Sequence, residues 1–379
     1  MKSSIVFIAS NQMSIAAFLA PHISLLKTLA PIQVITNTNE STLLKQRGID
    51  AEIGHVPIVR PISPWADIKT LWALFWQFKQ SQPVAVHSIT PKAGLLGMAA
   101  AWMSGVPVRT HSFTGQVWAN KVGLKRWMLK FCDKLIAKLA TERLIDSPSQ
   151  QTFLIKEGVF GNLKSDVLGA GSICGVDIQR FHPNTRARKV LRASMGVDQK
   201  AFVCLYLGRL SKDKGVLDLV RAFSKFASGK LNVELWLVGP DEQGVYDEIL
   251  NSVGSMSNHL RRVGYTSEPE RFMQSADLFC LPSYREGFGS SVIEAGACCV
   301  PSLASRIYGL SDAMIEGKTG WMHEAGNVND IADKLEMIFL KTDEMRVRGQ
   351  AARNYAKNRF EQKLVTKAML KFYETKLGN

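Results

Sequence analysis

The chain has 379 residues, 46% of them apolar and 9% aromatic, with 29 Gly and 14 Pro, which excludes disorder or collagen-like repetition and suggests two domains of about 180 residues rather than one core. Its formal charge is +14, and 19 Lys/Arg against 10 Asp/Glu in the first 180 residues put most of the excess in the N-terminal half. A basic half suits nucleic acid, anionic headgroups or phosphorylated small molecules, and charge alone does not choose among them.

In chain order, MKSSIVFIASNQMS opens on a short apolar run broken by Asn11 and Gln12. It reads as a buried strand over Ser4–Ala9 and a turn, not as an export signal. Further buried strands are predicted at Ile32–Thr36, Ala85–Ser88, Val106–His111 and Arg143–Asp146. After a break near Phe181-His182-Pro183-Asn184 and a charged helix over Thr185–Met195, strands resume at Phe202–Leu207, Val233–Val238, Leu260–Val263, Leu278–Leu281 and Pro301–Ala304. Helical stretches separate them, so the α/β alternation predicts parallel sheets covered on both faces, in two doubly wound domains. Such domains facing each other are expected to line a central cleft with strand C-termini and helix N-termini. The expected domains are 1–183 on the acceptor and membrane side and 184–360 for the donor, with a terminal helix, 361–379, crossing back to the first domain. No run of about 18 apolar residues offers a membrane span. The cysteines at 132, 174, 204, 280, 298 and 299 lack metal-ligand spacing and read as reduced core residues.

Two stretches carry chemistry. In SYREGFGSSVIEAGACCVPS, residues 283–302, Glu286 and Glu294 flank a small Gly/Ser turn between a strand and a helix. Ser290 or Ser291 is the expected N-cap, and the N–H groups of residues 288–291 would face an anion, aided by the helix dipole. A carboxylate repels phosphate, so the two acids make sense as acceptors of hydroxyl hydrogens: Glu294 for a ribose, Glu286 for a second polyol beyond the phosphates. That describes a nucleotide sugar; a capping acid beside a surface acid is the plain alternative. In YLGRLSKDKGVLDLVRAF, residues 206–223, Arg209 and Lys214 share a loop at a strand C-terminus. A guanidinium fork and a point charge there suit one diphosphate.

The pair Glu286 and Glu294 as E-x7-E, with Gly208-Arg209 and Lys214-Gly215 as the basic element, resembles retaining GT-B glycosyltransferases of family 4. HSITPKAGLLG (87–97), RTHSFTGQVW (109–118), GSICGVDIQRF (171–181) and GYTSEPERFMQSADLFCLPSYREGFGSSVIEAGA (264–297) are similar to its bacterial surface-polysaccharide branch, which makes O-antigen and capsule. The resemblance covers nearly the whole chain. It implies the GT-B fold, two Rossmann-like domains around a cleft, and transfer with retention from a nucleotide-sugar, expected to be a UDP-sugar, to a polyprenyl-diphosphate-linked saccharide. No metal or other cofactor is expected, and no D-x-D pair is found.

By the same resemblance Arg209 and Lys214 hold the diphosphate and act as electrophiles. Gly208, Phe288, Gly289, Ser290 and Ser291 line the donor, Glu294 takes ribose, Glu286 meets the donor sugar, and His111 lies near the transferred sugar. Lacking a clear nucleophile, the site is expected to use front-face chemistry, in which the leaving diphosphate takes the acceptor proton. One departure stands out: the loop after the first strand, Ala9-Ser10-Asn11-Gln12-Met13-Ser14, has no glycine. Ser10 and Asn11 are the acceptor-side candidates there, with Lys92 for the acceptor diphosphate.

Two helices suit a membrane surface. WADIKTLWALFWQFK (65–79) is rich in aromatics, and KVGLKRWMLKFCDKLIAK (121–138) interleaves Lys121, Lys125, Arg126, Lys130 and Lys134 with Trp127 and other apolar residues. A basic amphipathic helix with aromatics fits an anionic leaflet, so the protein is expected to be peripheral on the cytoplasmic face of the inner membrane. The competing readings are a nucleotide-sugar epimerase or soluble glycan synthase of the same fold, and a nucleic-acid-binding protein. The last lacks any recognisable nucleic-acid motif.

Overall fold

The computed structural model describes residues 4–38, 42–59, 61, 63–253 and 258–378. The chain forms two compact units, residues 1–175 with 362–379 and residues 176–361. Unit 1 runs β1 (Ile5–Ile8), α1 (Gln12–Phe18), α2 (Ala20–Leu26), β2 (Ile32–Thr36), α3 (Thr42–Gln46), β3 (Glu52–His55), α4 (Pro64–Ser81), β4 (Ala85–Ser88), α5 (Pro91–Met103), β5 (Val108–Phe113), α6 (Gly123–Leu139), β6 (Glu142–Ile145), α7 (Pro148–Lys156) and β7 (Asp166–Val167). Unit 2 runs α8 (Thr185–Ser194), β8 (Phe202–Leu207), α9 (Val216–Ala227), β9 (Val233–Val238), α10 (Val245–Val253), β10 (Leu260–Val263), α11 (Pro269–Ser275), β11 (Leu278–Leu281), α12 (Ser290–Ala297), β12 (Ser302–Ser305), α13 (Leu310–Ala313), β13 (Gly320–His323), α14 (Val328–Phe339) and α15 (Thr342–Phe360). The last helix, α16 (Gln362–Leu377), belongs to unit 1.

Both sheets are doubly wound. Unit 1 has the strand order β3-β2-β1-β4-β5-β6-β7 and unit 2 the order β10-β9-β8-β11-β12-β13, with parallel pairing throughout. The order reverses between β1 and β4 in the first sheet and between β8 and β11 in the second, and those reversals are where such sheets bind ligands. Alternation along β1 sends Val6 and Ile8 to one core with α4, α5 and α6, and Ile5 and Phe7 to another with α1, α2 and α16. In unit 2 the core packs Phe202, Cys204 and Tyr206 of β8 against α9 and α14.

The unit boundary falls at Gly175/Val176, not at the expected 183/184. Val176 donates its N–H to Phe360 O at 2.7 Å and bridges Glu361, so the segment after Gly175 is tied to the end of α15. Strand edges also moved: β5 starts at Val108 because Pro107 has no N–H to give a ladder. Strands β3, β7 and β13 were not expected at all. The first two are short edges with few buried side chains, EIGH and DV. Four of the six cysteines are buried, whereas Cys132 and Cys299 are partly buried; none of the six is in a disulfide.

Candidate functional site

Buried packing fixes the far end of the second sheet. Arg192 of α8, fully buried, pairs with Asp277 at 2.7 Å just before β11, and Asp277 also accepts from Arg188 and from the Val203 N–H. Held at that end, β8 and β11 deliver their C-termini side by side to two loops, 208–215 and 282–289. The loops touch. Gly215 sits in the left-handed region at φ 68°, and a Cβ there would lie 2.0 Å from Pro282 O, so only glycine allows the approach. Tyr206, fully buried, donates its hydroxyl to Arg209 O at 2.6 Å and fixes the turn that presents the guanidinium.

The structure brings Lys214 and Glu286 together: Nζ lies 2.5 Å from Oε1, and Ser283 Oγ donates to the same oxygen at 2.8 Å. Both side chains are mostly buried, so the Coulombic gain is less screened than on an open surface. The expected diphosphate cation and the expected sugar-binding acid therefore neutralise each other. Arg209 is placed differently, half-exposed and 3.2 Å from Glu242 Oε2. Beside them Asp213 accepts from Ser211 Oγ at 2.6 Å and pairs with Arg285 at 2.9 Å, while the Tyr284 N–H donates to Asp213 O at 3.0 Å. These cross-ties join the two loops. Sequence reading missed Asp213, Ser283, Arg285 and Glu242. The signal was present for the first and third: an acid inside a basic run, SKDKG, and a base beside an acid, YREG.

The helix after the second loop begins differently from expectation. Its N-cap is Gly289, with φ 84° and no side-chain cap, so Ser290 and Ser291 lie inside α12 rather than capping it. The first-turn N–H groups thus have no side-chain cap, the condition under which a helix N-terminus receives an anion. Phe288 contributes backbone alone, because its ring is buried against Phe360 at 4.9 Å between centroids. The carboxyl of Glu294, one turn further on, has no hydrogen-bond partner among the described residues. Burial pushes its carboxyl up to about 7, opposed by the Arg180 guanidinium, which itself pairs with Glu270 at 2.7 Å. Such a carboxylate sits at a raised free energy until hydroxyl donors reach it.

In unit 1 the loops at the sheet reversal are joined by the Ser10 N–H donating to Thr90 Oγ1 at 3.0 Å. Two acceptor-side candidates have partners within unit 1. Asn11 is the N-cap of α1, its Oδ1 accepting from Ser14 N–H at 2.9 Å and from Ser14 Oγ at 3.1 Å, so that oxygen is committed to the fold. Lys92 pairs with Asp67 at 2.6 Å and also donates to Pro61 O, so a diphosphate would have to draw it from that acid, as with Lys214 and Glu286.

His111, near the C-terminal end of β5, is 3% exposed, and burial lowers its pKa to about 3, so the ring is neutral at pH 7. Its Nδ1 lies 2.8 Å from Ser88 Oγ on the neighbouring strand. A hydroxyl donating there leaves the ring hydrogen on Nε2, which has no partner among the described residues. The ring packs on the first turn of α5 over Gly94, where a Cβ would come within 2.4 Å of it. His87, by contrast, is fully committed, to Tyr373 Oη at 2.9 Å and Ser112 Oγ at 2.7 Å.

The membrane candidates of α6 divide into two groups. Arg126 and Lys130 both reach Glu157, at 2.7 and 2.6 Å, and stand over the buried Trp118 ring, whose Nε1 donates to Asp133 at 2.7 Å. They brace the helix rather than face outward. Lys121, Lys125, Trp127 and Lys134 are exposed. Among the described residues no helix is long and apolar enough to cross a membrane.

Comparison with known proteins agrees with this fold. The family described as glycosyl transferases group 1 matches residues 187–355, and the glycosyl transferase 4-like domain matches residues 30–164. A capsular polysaccharide biosynthesis glycosyltransferase, CapM of Staphylococcus aureus, is 30% identical over 86% of each chain. A UDP-Gal:alpha-D-GlcNAc-diphosphoundecaprenol alpha-1,3-galactosyltransferase of Escherichia coli is 25% identical over 80% of this chain and 78% of its own. The crystal structure of Anabaena Alr3699/HepE in complex with UDP and glucose superposes with a TM-score of 0.83 at 19% identity, over 98% of this chain and 100% of that one, and shows the shared GT-B fold.

Proposed function

The chain belongs to the group 1 glycosyl transferases, and from that premise we propose that it transfers a hexosyl or N-acetylhexosaminyl group, with retention, from a UDP-sugar to a polyprenyl-diphosphate-linked saccharide in bacterial surface-polysaccharide assembly. The observation that carries the donor assignment is the meeting of two loops at the β8/β11 reversal: Arg209, Lys214 and the uncapped start of α12 offer cations and N–H groups beside two carboxylates. The names of two relatives support the acceptor class, one for capsular polysaccharide and one for a diphosphoundecaprenol-linked sugar.

In this reading the diphosphate draws Lys214 away from Glu286 and Arg209 away from Glu242. Freed Glu286 then accepts hydrogens from the donor sugar, and Glu294 from ribose. The neutral His111 has an Nε2 hydrogen to offer a sugar hydroxyl. As the bond from the anomeric carbon to the diphosphate oxygen breaks, the acceptor oxygen bonds to that carbon on the same face. Its proton passes to the departing diphosphate, whose growing charge Arg209 and Lys214 offset. No step calls on a metal ion. The chemistry takes place at the membrane surface, on the cytoplasmic face of the inner membrane, where a polyprenyl acceptor is held.

The test measures nucleoside diphosphate released from a panel of nucleotide-sugars, with a polyprenyl-diphosphate saccharide and a chelator present. One donor should be turned over, and Lys214→Ala should reduce the rate roughly 100- to 1,000-fold. Isomerisation of the sugar without transfer, or unchanged turnover by the variant, would refute the reading.

A further inference from the structure

Five of the eight tryptophans, Trp65, Trp72, Trp76, Trp102 and Trp127, are 48–81% exposed, and all five lie on α4, α5 or α6. The other three are buried. These helices form one layer: α5 packs against both neighbours, and the three share one core under the sheet. Their outward sides therefore make one surface of unit 1.

That surface has the periodicity of a buried face. Helix α4 turns Leu74 and Phe78 inward, yet outward it presents Trp65, Ile68, Trp72 and Trp76, three or four residues apart. Helix α6 buries Ile136 and Ala137 and sets Leu124, Trp127, Met128 and Phe131 outward at i, i+3, i+4 and i+7, with Trp127 stacked on Phe131 at 5.7 Å. A helix on a globular surface ordinarily shows polar residues there. Two helices of one layer, on either side of α5, with apolar stripes on both sides imply a second apolar phase outside the protein.

Charge identifies that phase. The acids on the three helices are Asp67, held by Lys92, and Asp133, buried against Trp118. Lys69, Lys79, Lys121, Lys125, Lys134 and Lys138 stand exposed around the stripes without a facing acid on these helices. A second copy of the chain would bring lysine against lysine. Anionic lipid would not, and indole rings suit the headgroup level because one edge is polar.

We propose that the outward face of α4, α5 and α6 is a seat on the bilayer interface, in which the α4 and α6 stripes insert among the headgroups and the lysines contact anionic lipid. The proposal rests on the lipid-linked acceptor reading above and adds how the surface is gripped: by insertion of two aromatic stripes, with charge as an accessory. Arg126 and Lys130 have no part in the grip.

The experiment is flotation of the full chain with two kinds of acceptor-free vesicle, mixed zwitterionic and anionic phospholipid or zwitterionic alone. Tryptophan emission is recorded, and UDP affinity is measured on the same samples. Wild type should float with the mixed vesicles, shift its emission to the blue, and keep part of its binding in about 0.5 M salt, where surface charge is screened. The pairs Trp72→Ser/Trp76→Ser and Leu124→Ser/Phe131→Ser should each weaken vesicle binding about tenfold or more, leaving UDP affinity and melting temperature unchanged. Lys125→Glu/Lys134→Glu should weaken binding to anionic vesicles alone.

Aromatic pairs that float like wild type overturn the proposal. Complete loss of binding in salt overturns it too, as does a dimer dissociated by the same substitutions in a protein that never floats. Flotation without turnover of any donor would defeat the transfer reading and leave the seat standing. Turnover on a short-chain, water-soluble acceptor without flotation would do the reverse.

Discussion

At the scale of single residues, the two cations proposed for the diphosphate are held against acids in unit 2, whereas the Glu294 carboxyl is not paired in this way. Lys214 has Glu286 and Arg209 has Glu242, but the Glu294 carboxyl has no hydrogen-bond partner among the described residues and its pKa is raised to about 7 by burial. A carboxyl raised in the folded state from 4.5 stabilises that state fully below pH 4.5, and this contribution is lost as pH rises through about 7. Replacing Glu294 by Gln should therefore stabilise the ligand-free protein at pH 8 by about 1–3 kcal/mol, the span of the shift less what partial solvent access relieves. The same change should weaken UDP binding at pH 8, since an amide is the poorer acceptor for ribose hydroxyls. Melting curves and UDP titrations at pH 5 and pH 8 check both, and a variant less stable than wild type at pH 8 would refute the assignment. Glu294 was legible from its spacing to Glu286. The ion pair between Lys214 and Glu286 was not, because the two are 72 positions apart and their meeting depends on how two loops lie across a sheet.

At the scale of elements, legibility followed the apolar run more than burial itself: β13 (GWMH), buried at all four positions, was missed, whereas β10 (LRRV), only partly buried, was expected. Strands buried on both faces, such as β1 (IVFI) and β11 (LFCL), announce themselves as apolar runs between helical stretches. Edge strands such as β3 and β7 do not, because their few residues need not be apolar. The reversal of strand order was likewise invisible in letters, yet it brings loops 208–215 and 282–289 together. What then holds these loops in register is Asp213: its carboxylate takes Arg285 and Ser211, and its carbonyl takes the Tyr284 N–H. Lys214 and Glu286 are the next residues on either side, so this tie positions both. Arg285→Gln and Asp213→Asn should each cut kcat about tenfold with a smaller change in donor KM, and the double variant should resemble either single one. Additive losses in such a cycle would mean the two side chains act separately.

At the scale of the whole molecule, the chain leaves unit 1 at Gly175 and returns at Gln362, so unit 2 is an insertion and α16 completes the first unit. That return depends on a buried network. Met369 and Tyr373 of α16 are wholly buried, Tyr373 bonds His87, and His87 bonds Ser112, while Lys376 reaches Glu142 at 2.7 Å. Burial lowers His87 and His111 to about 3 and His22 to about 4, against 6.5 when unfolded. From pH 6.5 down to those values the unfolded chain binds more protons than the folded one. Stability is therefore lost as pH falls, by up to about 1.4 kcal/mol per pH unit for each histidine. All three lie in unit 1, whereas in unit 2 His323 is the histidine with a lowered pKa. Acidification from pH 7 to pH 4.5 should thus open unit 1 before unit 2. Tyr373→Phe, which strips His87 of a buried partner, should cost about 1–3 kcal/mol in unit 1 and move its acid midpoint to higher pH. Hydrogen exchange followed peptide by peptide separates the two units. Protection lost evenly across both on acidification, or an acid midpoint unmoved by Tyr373→Phe, would show that the histidine network does not secure the returning helix.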